Sequence, residues 1–135
     1  MALIGDPGRP RALVLRALGL GDLLTAVPAL RALRRGLPDH LIVLAAPSWL
    51  APLVELTRTV DEHLPTADLA ALRRCVPPPD LGVNLHGRGP QSLRALQRSG
   101  ARRILTHHHP EVAALGGPAW EPDVHEVVRW CRLVE

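Results

Sequence analysis

Asp22 stands where a helix leaves a glycine loop, in Arg16-Ala17-Leu18-Gly19-Leu20-Gly21-Asp22-Leu23-Leu24. The partial positive charge of a helix N-terminus surrounds a carboxylate placed there. Such a group can accept a hydrogen bond, or take a proton from a neutral hydroxyl. It can equally serve as a simple cap, the common role of an aspartate at a helix start. Both roles stay open on the residues alone, and one group can fill both. Two other chemistries of glycine loops are excluded. A dinucleotide fingerprint needs a third glycine, where this chain has Leu24, and an acidic residue closing the second strand, where it has Pro47. A phosphate loop needs Gly-Lys-Ser/Thr, and the chain contains no lysine.

The second cluster is His86-Gly87-Arg88-Gly89-Pro90. His86 and Arg88 offer donors for hydroxyls or anionic groups, and Gly89 with Gly87 allows close approach of a ligand to the backbone. The alternative is a plain strand-to-helix turn with solvated polar residues. His107, His108 and His109 are consecutive, so their side chains do not converge on one ion, and a solvated loop is expected. Cys75 and Cys131 have neither metal-ligand nor redox spacing and are expected to be reduced core thiols.

Strands and helices must alternate to place these groups. Residues 11–16 form an apolar strand that ends at the glycine loop, and 41–46 form a second, continuous enough to be buried on both faces. Shorter strands are expected over 59–64, 80–86 and 101–106. A first helix follows Asp22 with Val27, Leu30, Leu33 and Leu37 inward, interrupted or kinked at Pro28. Ser48 caps a second helix that turns Trp49, Leu50, Leu53 and Val54 inward. Residues 67–75 and 91–98 read as further helices, the latter stopped by Gly100. After a loop over 107–122, a last helix opens at Asp123 with Val124, Val127, Val128 and Cys131 on its inner face. Trp130 lies off that stripe and is expected to face a partner. The first ten residues, with two prolines and two glycines, read as a flexible tail ahead of a domain over 11–135. The alternation predicts an α/β fold, a Rossmann-like parallel sheet with helices on both faces. Asp22 and His86 then share the carboxyl edge of that sheet.

Composition narrows the function. The net charge of +3 is interspersed, with no basic tract and only three aromatic residues, all Trp, so a nucleic-acid binder is not expected. No apolar run reaches the length of a membrane span, and the N-terminus lacks the segments of an export signal. The protein is expected in the cytoplasm, with at most peripheral contact with the inner face of the membrane.

Leu18 to Arg35 resembles the opening of glycosyltransferase family 9, the ADP-heptose:lipopolysaccharide heptosyltransferases and their relatives. Asn84 to Ser92 is similar to the family's second motif in its N-terminal domain, and His125 to Glu135 to the helix that closes that domain. The resemblance implies the N-terminal domain of a GT-B glycosyltransferase, with a nucleotide-sugar domain expected to lie outside this chain. It implies an inverting transfer of a heptose or other hexose-type sugar to a cell-envelope glycan or glycolipid acceptor. Asp22 would be the general base, Gly19 and Gly21 would let the acceptor approach, and His86, Arg88 and Gly89 would orient it. No cofactor or metal is implied. The chain alone would not transfer sugar, since its base would lack a donor. The alternative is a non-catalytic Rossmann-like module or subunit that pairs with a separate C-terminal domain.

Overall fold

The computed structural model describes residues 1–112 and 114–135. Five strands, β1 (Arg11–Leu15), β2 (Leu41–Ala46), β3 (Glu62–Pro65), β4 (Leu81–Asn84) and β5 (Arg103–Leu105), form one parallel sheet in the order β3-β2-β1-β4-β5. β1 lies at its centre, pairing Arg11 to Leu15 with Leu41 to Ala45 on one side and Ala12 to Leu15 with Leu81 to Asn84 on the other. Four helices connect or cover the strands: α1 (Leu20–Gly36), α2 (Ala51–Thr57), α3 (Gln91–Ser99) and α4 (Glu126–Val134). The Rossmann-like parallel sheet read from the sequence is the fold found.

Alternation along the strands divides the core in two. Val14, Ile42, Leu44 and Val83 face one layer with Leu23, Leu30 and Leu33 of α1 and Trp130 and Leu133 of α4. Leu13, Leu15, Val43 and Ala45 face the other, with Ala95 and Leu96 of α3, Leu72 and Cys75. Every residue of β1 and β2 is buried, because helices or loops cover both faces. Each buried Leu or Ile there stabilises the fold by roughly 1.5–3 kcal/mol. Both cysteines are free thiols.

The chain reverses direction across the sheet once. It runs outward from β1 through β2 to β3, then crosses back to β4 on the other side of β1. The carboxyl ends of β1 and β4 thus flank the switch point, where open parallel sheets leave a crevice for ligands.

Several elements differ from the expectation. α1 is continuous through Pro28 and begins at Leu20, two residues before Asp22. Trp49, expected inward, is exposed, because Ser48–Leu50 form a 3₁₀ turn that sends only Leu50 into the core. The helix expected over 67–75 shrinks to the 3₁₀ turn Leu69–Ala71. Asp68 Oδ1 caps it by accepting from the Ala71 N–H at 3.0 Å, and Leu72 then turns extended into the core.

The segment ahead of β1 packs on the domain: Leu3 is buried, its N–H donates to Val76 O, and Val76 N–H donates to Met1 O.

α4 holds the largest correction. It opens at Glu126 behind His125, whose Nδ1 accepts from the Val127 N–H at 3.2 Å. Residues 121–124 cannot join the helix, because the Arg129 guanidinium gathers the carbonyls of Glu121, Pro122 and Val124. Trp130 is fully buried and Val128 exposed, so the stripe that packs on α1 runs through Trp130 and Leu133. Trp130 is therefore no sign of a missing partner.

α3 ends as the sequence implies, at Gly100 in the left-handed region with φ +86°. Gly100→Ala is expected to cost about 1 kcal/mol by backbone strain alone. A Cβ there would meet Pro78 at only ordinary contact distance, 3.6 Å. An unchanged urea midpoint would contradict this account of the helix end.

Candidate active site

Arg16 continues β1 by one residue, its N–H donating to Ala45 O at 3.0 Å. Its side chain then turns beneath the glycine loop and is 2% exposed. Nε donates to Asp22 O at 2.9 Å, Nη1 to Leu85 O and to His86 O at 3.4 Å, and Nη2 to Thr25 Oγ1 at 3.2 Å. The guanidinium lies 5.0 Å from the centre of the Trp130 ring. One side chain thus ties together the end of β1, the first turn of α1, the loop after β4 and α4. Burial pushes its pKa down, and the charges of Asp22 and Glu126 oppose that.

Asp22 is in the first turn of α1, not at the cap position, which Gly19 holds. Its Oδ2 reaches back to accept from the Gly19 N–H at 3.1 Å, while Leu23 N–H donates to Gly19 O. Its Oδ1 stands 3.7 Å from Arg16 Nη2, a loose ion pair, and half of the side chain is open to solvent. The carboxylate caps the helix through Oδ2, while Oδ1, held only by that loose ion pair on a half-exposed side chain, can still receive a proton. The two roles left open by the sequence are compatible here.

Asn84, wholly buried at the end of β4, shapes the opposite wall. Its Nδ2 lies 3.1 Å from Gly87 O, 3.1 Å from Ser92 Oγ and 3.0 Å from Thr106 Oγ1, while Oδ1 accepts from the His86 N–H. His86 Nδ1 in turn accepts from the Ala17 N–H at 3.2 Å, which joins the β1 and β4 loops and assigns the ring proton to Nε2. Its Nε2–H is therefore left as a donor. Burial, reinforced by Arg16 and opposed by Asp22, pushes its pKa below the ordinary value. Arg88 is exposed, with no hydrogen bond or ion pair of its side chain among the described residues. Gly89 has φ +91°, and a Cβ there would lie 2.6 Å from Leu93 Cδ1. Nothing lies within 4 Å of where a Cβ would stand on Gly21 or Gly87. The fold itself does not demand those two glycines, and open space is left above the loops.

The structure thus brings Asp22, Gly19, Gly21 and His86 together at the switch point, with Gly89 shaping the β4 loop and Arg88 reaching outward from it. Three residues escaped the sequence reading. Arg16 carried a signal, a charge directly after the apolar run Ala12 to Leu15, which must find partners in the fold. Asn84 carried a similar one. Glu126 reads in the sequence only as a capping-box partner of Asp123. In the structure His125 caps the helix, Glu126 Oε2 accepts from Trp130 Nε1 at 3.1 Å and stands 3.9 Å from Arg16 Nη2, and Oε1 accepts from Arg129 Nε at 3.0 Å.

The histidine triplet is not a solvated loop. His107 and His109 are buried, and His107 packs edge-on against Trp120 and Trp130, with ring centres 5.2 and 5.9 Å away. Burial and Arg129 push the His107 pKa down. Both His86 and His107 thus resist protonation in the folded state. Below the ordinary histidine pKa of 6.5 the unfolded chain binds protons that the folded chain refuses. Their contribution is full above that pH and is lost as pH falls toward the lower folded values. The urea midpoint is expected to drop between about pH 7 and about pH 5, with a smaller drop in His86→Gln. A midpoint flat across this window would refute the assignment.

No family model and no curated protein matches the sequence. Solved structures do. A glycosyl transferase family 9 protein from Veillonella parvula superposes with a TM-score of 0.75 at 16% identity, over 93% of this chain and 40% of its own. E. coli ADP-heptose LPS heptosyltransferase II gives a TM-score of 0.73 at 20% identity, over 93% and 40%. E. coli heptosyltransferase WaaC, solved with ADP, gives 0.68 at 16% identity, over 92% and 45%. The chain therefore spans less than half the length of the structures it matches. At these identities the likeness establishes the fold: the Rossmann-like domain read from the sequence is one that these glycosyltransferases contain.

Proposed function

We propose that this domain is the acceptor-binding half of an inverting glycosyltransferase. Asp22 carries the reading: a half-open carboxylate at the switch point, with Oδ2 engaged in the helix cap and Oδ1 held only by a loose 3.7 Å ion pair with Arg16. The acceptor is a cell-envelope glycan or glycolipid, and the sugar transferred is a heptose or another hexose-type sugar. An acceptor hydroxyl approaches over Gly19 and Gly21, and its oxygen attacks the anomeric carbon of a nucleotide-sugar. Its proton passes to Asp22, and the bond to the nucleotide diphosphate breaks on the opposite face, which inverts the anomeric centre. His86 Nε2–H and Arg88 hold acceptor oxygens beside the reacting hydroxyl. The donor is bound by a second domain, in keeping with a chain that spans 40–45% of its structural neighbours. The reaction takes place in the cytoplasm, and no helix among the described residues is long and apolar enough to cross a membrane.

Calorimetric titration with ADP-heptose and GDP-sugars tests this division of labour. The chain alone is expected to give no heat, whereas a mixture with a separately expressed nucleotide-sugar domain binds. Tight nucleotide binding by these 135 residues alone would mean that the glycine loop holds phosphate, and the role of Asp22 as base would fall.

A further inference from the structure

Trp49 is 64% exposed, while Trp130 is buried and Trp120 half-buried. Its exposure is built into the fold. The turn Ser48–Leu50 hangs on Leu50, which is sunk in the core and whose N–H donates to Pro47 O at 3.1 Å. That turn leaves the carboxyl end of β2, the strand beside β1, so Trp49 stands on the same rim as Asp22. Beside the indole lies a hollow of about 350 Å³, lined by Pro47, Ser48, Pro65, Thr66, Ala67 and Ala71. Pockets for small ligands begin at about 300 Å³.

The lining selects the ligand. None of these residues carries a charge, so the hollow offers nothing to a diphosphate or an anionic lipid surface, both of which call for cations. An indole face is a rigid apolar platform, and Ser48 supplies a hydroxyl at its edge. A neutral pyranose ring matches both, with its C–H face laid on the indole and its hydroxyls reaching the polar edge and water. We propose that Trp49 and this hollow form a subsite for a sugar ring of the acceptor glycan, removed from the ring whose hydroxyl reacts at Asp22. The inference rests on the acceptor-side reading above.

Acrylamide quenching of tryptophan fluorescence in the full chain tests it, because Trp49 is the most accessible indole. Maltotriose is the probe, since stacking reads the C–H face common to pyranose rings and not one sugar's hydroxyl pattern. Near-saturating maltotriose is expected to lower the quenching constant about twofold. The effect is kept in Trp120→Phe and in Asp22→Asn, and lost in Trp49→Ala. Unchanged quenching in the native chain, or protection that survives Trp49→Ala, overturns the subsite. In the two-domain enzyme the two ideas fail separately. Transfer that needs Asp22 but keeps its acceptor KM in Trp49→Ala sinks the subsite alone. Protection by maltotriose without any sugar transfer sinks the acceptor-side reading.

Discussion

Asp22→Asn, placed in the two-domain enzyme, is expected to lower kcat for sugar transfer by about 10²–10⁴-fold, the usual contribution of a positioned general base. The substitution changes little else. Asn keeps an oxygen that can accept from the Gly19 N–H, so the cap of α1 survives, and any loss of stability stays below about 1 kcal/mol. Arg16 keeps its hydrogen bonds to Asp22 O, Leu85 O and Thr25, none of which uses the carboxylate. Acceptor KM should therefore move far less than kcat, because the acceptor is held by other groups. A fall confined to KM would recast Asp22 as a binding residue. Unchanged turnover would remove the base assignment altogether. Measuring the denaturation midpoint beside the rate separates both cases from misfolding.

Arg16→Ala is expected to be the most destabilising substitution at the rim, by about 3–5 kcal/mol. It strips donors from the carbonyls of Leu85 and Asp22 and from Thr25, beneath a loop where water has little access. It also removes the cation from between Asp22 and Glu126 and from the face of Trp130. A buried charge is a poor source of net stability when exchanged for a well-packed apolar group, but deleting one member of a satisfied network exposes the rest. The melting temperature should fall by about 10 °C or more for a domain of this size. Arg16→Lys should recover only part of the loss, because one ammonium cannot serve acceptors spread over α1 and the loop after β4. A fall of less than about 2 °C in the alanine variant would show that water replaces the guanidinium, and that the loops hold without it.

What was legible in the sequence was whatever depended on neighbours along the chain. β2 was read at Leu41 to Ala46, its observed bounds, because a continuous apolar run between polar and proline flanks admits little else. Gly100 marked the end of α3, since glycine alone takes that backbone without strain. The switch-point rule puts Asp22 and His86 on one rim, which the parallel pairing of β1 and β4 provides. The start of α1 was misread by three residues, with Asp22 and not Gly19 at the cap, because an aspartate at the cap and one in the first turn leave the same local signature.

Only the tertiary structure decided the rest. The valines of α4 made an apolar stripe as good as the one through Trp130, and Glu126 and Arg16 decided between them by enclosing the indole. The charged network was equally out of reach. Arg16 meets Leu85 at a sequence separation of 69 and Glu126 at 110, and His86 meets Ala17 at 69. Apolar periodicity and turn chemistry are written over a few residues, so the chain fixes its strands, its sheet class and the edge where chemistry can occur. Whether a buried charge is satisfied, and which Asp22 oxygen Arg16 approaches, depends on partners that only the closed sheet brings together.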